Sequence, residues 1–166
     1  MSLRRTPLKT KSDSPLAVAH QNLWTAFSLM IRERDNWTCF TYGTRVDPRQ
    51  KNGRGVSMAY YMHAGHYKPK GVYISLKYDP LNVHAQDEKC NIEMESNPTA
   101  YALALERRYG FGVRQTLEHR SKLYFDYTIP VLEKLTAACK LGASEYFILY
   151  ESLRPKEERE LEPKAA

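Results

Sequence analysis

The stretch over residues 63–97, HAGHYKPKGVYISLKYDPLNVHAQDEKCNIEMESN, gathers the side chains best suited to chemistry. His63 and His66 lie three apart, Asn82 and His84 follow, and Cys90 and Asn91 are adjacent. Glu95 comes one helical turn after Asn91, so both can face one point. Imidazole, amide, carboxylate and thiol groups this close together match the needs of phosphodiester hydrolysis. That reaction needs a base for the attacking water, positive charge for the phosphate, and help for the departing 3′ oxygen. A neutral imidazole suits the first task. One divalent cation serves the other two. The spacing fits such a plan: His66 ends one strand, Asn82 lies sixteen residues on, opposite it on a return strand, and Asn91 nine further on a short helix.

These roles require a strand, a return strand and a helix. Residues 57–66 read as a strand ending at the histidines, and residues 67–80, rich in Lys, Pro, Gly and Tyr, as an irregular excursion. Residues 81–86 read as a short second strand and 87–95 as one or two helical turns, before Asn97 and Pro98 break the chain. Upstream, residues 16–34 place Leu16, Leu23, Trp24, Phe27, Met30 and Ile31 at helical spacing. Residues 37–42 (WTCFTY) are β-prone, and 43–56 form a loop. Downstream, helices are expected over 98–109, 113–126, 128–140 and 144–153, with Pro130 tolerable only in a first turn. The expected fold class is α+β: a small hairpin-and-helix unit embedded in a mainly helical domain. A flexible basic arm (1–15) precedes one domain (16–153, its helical part from about 98), and a charged tail (154–166) follows.

The chain has 166 residues, 42% hydrophobic and 27% charged, ordinary for one globular domain. No apolar run approaches the ~20 residues that span a bilayer, so no membrane partner is expected. The basic N-terminus has no apolar stretch behind it and does not read as a secretory signal. Three cysteines, Cys39, Cys90 and Cys139, do not make a disulfide framework, and a cytoplasmic location is expected. The net charge of +6 favours a polyanion. Arg4, Arg5, Lys9 and Lys11 load the arm, while Lys68, Lys70 and Lys77 lie among Tyr67, Tyr73 and Tyr78. All seven cations are candidate DNA contacts, with tyrosines available for stacking. The bland alternative is a solubilising surface.

The order His66, Asn82, Asn91 is that of the ββα-metal, or HNH, nuclease finger. At the same residues the segments AGHY, LNVHAQ, CN and the following AYALALERRYG resemble the phage NinG/Rap family of recombination endonucleases, over roughly residues 2–115. The resemblance implies a phage-encoded, structure-specific DNA endonuclease acting in the host cytoplasm on branched intermediates such as Holliday junctions and D-loops. It implies His66 as general base, Asn82 as its support through the backbone, and Asn91 as ligand of one divalent cation. Mg²⁺ or Mn²⁺ is favoured, and Zn²⁺ is the alternative. Gly65 occupies the position just before the base, where many such fingers carry a ligand. His63, His84 and Glu95 therefore compete for the second ligand position, and His84 has a structural role as its alternative.

The family pattern also brackets the finger with two CxxC pairs, the spacing of a structural zinc knuckle. Here the pairs read Cys39…Tyr42 and Asp87…Cys90, each with one cysteine replaced. Loss of the structural zinc is expected, with packing by Tyr42, Trp37 and Phe40 in its place. An active endonuclease is the leading expectation, and a homodimer would suit symmetrical junction cleavage. A catalytically impaired DNA-binding or protein-interaction module on the same fold is the competing one. A helical regulator without nucleic acid is a third, opposed by the finger pattern.

Overall fold

The computed structural model describes residues 14–93 and 98–155. These form six α-helices and one two-stranded antiparallel sheet, an α+β architecture. Helix α1 (Pro15–Arg34) begins where Ser14 Oγ accepts the Ala17 N–H at 3.2 Å and Pro15 supplies a preset first turn. The helix thus takes the last residue of the expected arm, and the residue before it is the N-cap. Ala19, Leu23, Phe27, Met30 and Ile31 form its buried stripe. The helix ends with Asn36 and Trp37 both at positive φ (51° and 53°), and the Trp37 N–H returns to the Arg32 carbonyl at 2.8 Å. Left-handed backbone is costly for a tryptophan. The Arg32 guanidinium, 5.0 Å above its ring, helps hold it there.

Strands β1 (Met62–His66) and β2 (Val83–Asp87) pair in the register Met62↔Asp87 through His66↔Val83, and α2 (Glu88–Glu93) follows directly. The strand expected over 57–66 is shorter, because residues 58–61 close a 3-10 turn capped by Ser57 Oγ. Residues 37–42 are not a strand: a single bridge, Thr38↔Arg45, closes a tight loop through Gly43 at φ 76°. Helix α3 (Pro98–Tyr109) and helix α4 (Val113–Ser121) follow. Helix α4 is shorter than expected, since Phe125 and Tyr127 leave helical backbone to stack in the core, Phe125 on Tyr150 at 5.1 Å. Helix α5 (Ile129–Leu141), with Pro130 in its first turn, and helix α6 (Ala143–Leu153) complete the chain.

The main core joins α1, α5 and α6 through Leu23, Phe27, Leu132, Leu135, Tyr146 and Tyr150, with Tyr78 and Val83 from the hairpin region. A second cluster (Leu76, Tyr101, Leu105, Val113, Leu117) packs α3 and α4 against the excursion. Val46, Met62 and Ala85, with Trp37, form a third. The hairpin is therefore gripped from several directions. Two buried carboxylates lock it further. Asp35 accepts the Arg34 fork, Arg108 Nη1 at 2.8 Å and the Ala85 N–H at 2.8 Å. Asp79, fully buried, accepts Arg120 Nη1 at 3.0 Å and the Leu81 N–H at 2.8 Å. Removing one partner from such sites leaves an uncompensated buried charge, so they are strong locks on geometry.

Candidate active site

His66, at the end of β1, points toward α1 and stacks on Trp24 (centroids 5.5 Å apart, planes at 20°). Its Nε2 lies 2.9 Å from the Lys77 carbonyl oxygen. A carbonyl only accepts, so Nε2 carries the proton and Nδ1 presents a lone pair. Burial is the main cause that lowers the pKa of this ring to about 4. The Lys77 carbonyl opposes that shift, and the ammonium groups of Lys70 and Lys77 add to it. At neutral pH His66 is an uncharged imidazole with one nitrogen fixed and the other available as a proton acceptor.

Asn82 is fully buried and does not touch His66. Its Nδ2 donates to the carbonyls of Lys68 (3.0 Å) and Leu76 (3.1 Å), and its Oδ1 accepts the Lys68 N–H at 2.8 Å. Its own carbonyl accepts the Tyr67 N–H at 2.8 Å. One side chain thus ties both ends of the excursion and sets the carbonyl of Lys77, the residue after Leu76, against His66. Asn82 acts on the histidine through the backbone.

Three residues back along β1 from His66, Asn91 Nδ2 donates to His63 Nδ1 at 3.1 Å. A Cβ on Gly65 would collide with Gln86 Oε1 and lie 2.7 Å from Asn91 Oδ1. Glycine is therefore required at position 65, because two amide oxygens fill the space its side chain would occupy. Gln86, directly across the sheet from His63, joins the cluster. The amide oxygens of Gln86 and Asn91 and the ring nitrogen of His63 are a neutral oxygen-and-nitrogen donor set that fits a divalent cation. His63 must release its hydrogen bond to Asn91 to serve as a ligand. Glu95, the competing carboxylate, lies outside the described residues.

His84 is not available to a metal. Tyr101 donates its hydroxyl proton to the Gly65 carbonyl (3.0 Å), so it accepts from His84 Nδ1 at 3.0 Å. His84 Nε2 then accepts the Tyr109 hydroxyl at 2.9 Å, and Phe40 stacks on the ring at 3.8 Å. With both nitrogens engaged, this fully buried histidine is a structural tie, and burial, then Arg34 and Arg108, keep it neutral.

The half-lost knuckle is assembled in space. The ligand atoms of Cys39, Asp87 and Cys90 lie within 4.8 Å of one another, a trio chemically able to hold a metal. Asp87 is hydrogen-bonded by the Cys90 N–H at 2.8 Å and by the Cys90, Thr44 and Cys39 side chains. Burial raises its pKa, but these hydrogen bonds outweigh that and hold it below the usual carboxylate range. Burial, then Asp87, pushes the Cys90 thiol upward. Tyr42 departs from the sequence expectation, being 61% exposed, while Phe40 packs into the second cluster and Trp37 into the third.

The basic residues divide. Arg4, Arg5, Lys9 and Lys11 lie outside the described residues. Lys68 Nζ pairs with Glu118 at 2.6 Å, and its side chain is 14% exposed. Lys70 sits 4.5 Å above Trp24 and Lys77 5.1 Å from Tyr78, both beside His66. Three residues of this region were missed from sequence: Gln86, Trp24 and Arg32. Trp24, Ser28 and Arg32 line one groove with His63 and Asn91. Their spacing of four along α1 was a readable signal of a shared face. The position of Gln86 needed the strand register.

Fold and site together define a small α+β protein built on a hairpin-and-helix unit that brings an uncharged histidine and a neutral donor cluster to one strand. The chain belongs to the family of the bacteriophage lambda NinG protein, whose family model matches residues 3–143, through the whole of α5. It is thereby a phage recombination-related protein. No curated protein and no solved structure matches it. No helix among the described residues is long and apolar enough to cross a membrane.

Proposed function

We propose that this protein is a metal-dependent DNA endonuclease of the HNH type, cutting branched recombination intermediates such as Holliday junctions and D-loops. The observation that carries this reading is His66: half-buried, neutral, pinned at Nε2 by a backbone carbonyl, and left with Nδ1 as an acceptor. In the proposed reaction Nδ1 takes a proton from water as the water oxygen attacks phosphorus. The P–O3′ bond breaks, and the 3′ oxygen recovers a proton from solvent. Asn82 holds the excursion so that the imidazole cannot turn, which preserves its lone pair for the water. Asn91 and Gln86, joined by His63 once it gives up its bond to Asn91, would hold one Mg²⁺ or Mn²⁺. When bound, that cation supplies charge neutralisation at the phosphate and at the leaving oxygen.

For the knuckle, the reading is closure by hydrogen bonds to Asp87 in place of a structural zinc. The thiols of Cys39 and Cys90 already have an acceptor, and a zinc thiolate would require both to lose their protons.

A second reading, DNA binding without cleavage, draws on Gly65, which leaves the strand position next to the base without a ligand. One experiment separates the two. Wild-type protein and His66→Ala are incubated with linear duplex, single-stranded and four-way-junction DNA in Mg²⁺, Mn²⁺ or EDTA. The nuclease reading expects junction cleavage that needs metal and His66. Tight junction binding with no cleavage in any metal selects the second reading. Cleavage undiminished in His66→Ala removes the base.

A further inference from the structure

Among the described arginines that are not solvent-exposed, Arg34, Arg120 and Arg154 each pair with a carboxylate. Arg32 does not: no carboxylate of the described residues lies within ion-pair distance of it. Glu33 acts on it only at longer range, and burial lowers its pKa. The guanidinium is held, however. Its Nε donates to the Ser28 carbonyl at 2.9 Å, its Nη1 to the Met62 carbonyl at 3.3 Å, and its plane covers Trp37. Nη2 has no partner among the described residues. Arg32 lines a groove of about 410 Å³ with Trp24, Tyr60, Lys70, His63 and Asn91. A half-buried cation, rigidly oriented and without a counter-charge, is the arrangement that receives an anion, and a guanidinium fork suits phosphate oxygens. Lys70 on the same rim also lacks a carboxylate partner among the described residues. Tyr60, 66% exposed, offers an aromatic face to the adjoining nucleotide.

Resting on the nuclease reading of the same site, we infer that Arg32 is the positioning residue for the scissile strand, its free guanidinium edge taking a phosphate oxygen of DNA laid along this groove. Its backbone bonds keep the fork in place before substrate arrives, so little ordering cost falls on binding.

The test uses the full chain and four-way-junction DNA in EDTA, so that no cleavage is required. Arginines are modified with phenylglyoxal with and without saturating DNA, and each site is read by mass spectrometry. Arg32 should be protected by DNA at least several-fold. Arg32 modified equally in both samples overturns the inference without any variant having to fold. In parallel, Arg32→Ala should weaken junction binding several-fold and flatten its salt dependence by about one unit of slope. Arg32→Lys should keep the slope while cleaving about tenfold more slowly in Mg²⁺, since it keeps the charge and loses the fork. A folded Arg32→Ala with wild-type affinity and slope also overturns the inference. Protection in EDTA by a wild-type protein that cleaves in no metal leaves Arg32 assigned and removes only the nuclease reading. Cleavage with Arg32 unprotected does the reverse.

Discussion

The two sides of the hairpin treat their polar groups in opposite ways. Toward α3 and the knuckle, three buried or half-buried groups close on their neighbours. His84 spends both nitrogens on tyrosine hydroxyls, Asp35 binds two arginines and a backbone N–H, and Asp87 gathers two cysteines and a threonine. On the side facing α1, groups are oriented but left open. His66 has one nitrogen pinned and one free, and Arg32 is anchored without a counter-charge. Both sides contain neutral imidazoles, His84 fully buried and His66 half-buried, so a lowered pKa alone does not separate structure from function. The separating property is unspent hydrogen-bonding capacity on a side chain that is already rigid.

The comparison can be broken most decisively at its two histidines and the locks around them. His66→Ala should lower metal-dependent junction cleavage by about 100- to 10,000-fold, the range of a lost general base, with DNA binding in EDTA nearly unchanged. Cleavage rates beside a binding titration check this. The closed side should instead answer in stability. Asp35→Ala should cost about 3–5 kcal/mol, because it strands buried Arg34 and removes the acceptor of the Ala85 N–H. Chemical denaturation measures it, and a cost below about 1 kcal/mol would contradict the locking role.

Acid should act on both sides. The pKa of His66 is about 4 in the fold, against an ordinary value near 6.5. Between these values the unfolded chain binds the proton and the folded chain does not. The stability from neutral burial is therefore complete above about pH 6.5 and is lost as pH falls through about 4, and His84 shifts in the same direction. Denaturation midpoints should decline across that window by about 1–3 kcal/mol in total, and His66→Phe should make the decline shallower. The smallest effect is expected at the knuckle. Dialysis against EDTA should leave the melting temperature unchanged within about 1 °C, about the shift that a few tenths of a kcal/mol would cause. Elemental analysis should find no zinc held after dialysis, and one zinc per chain would overturn closure by hydrogen bonds.

Much of this arrangement was legible in the residues. The stripe Leu23, Phe27, Met30, Ile31 fixes α1 by periodicity, while the cap at Ser14-Pro15 went unread inside the expected arm. Asn97-Pro98 and Pro130 bound helices through backbone sterics, which act locally. His63, His66, Asn82 and Asn91 were marked by type and spacing. The errors share one cause. WTCFTY has the composition of a strand, yet a sheet needs a partner, and the fold offers only one bridge to Arg45. Residues 122–126 carry a helical pattern, but Phe125 gains more from stacking on Tyr150. The pairing of Lys68 with Glu118, fifty positions away on α4, likewise has no signal in the sequence.

By itself the sequence determined which groups are present, that helices flank the hairpin region, and that a hairpin and a helix must carry His66 and Asn91, because propensity and periodicity act over a few residues. Only the tertiary structure decided which of those groups stay free. Whether His84 is closed by Tyr101 and Tyr109, whether Gly65 faces Gln86, and whether Arg32 lacks a carboxylate depend on contacts between segments distant along the chain. Saturation of a polar group is set by what surrounds it in space, and no local rule of sequence contains that.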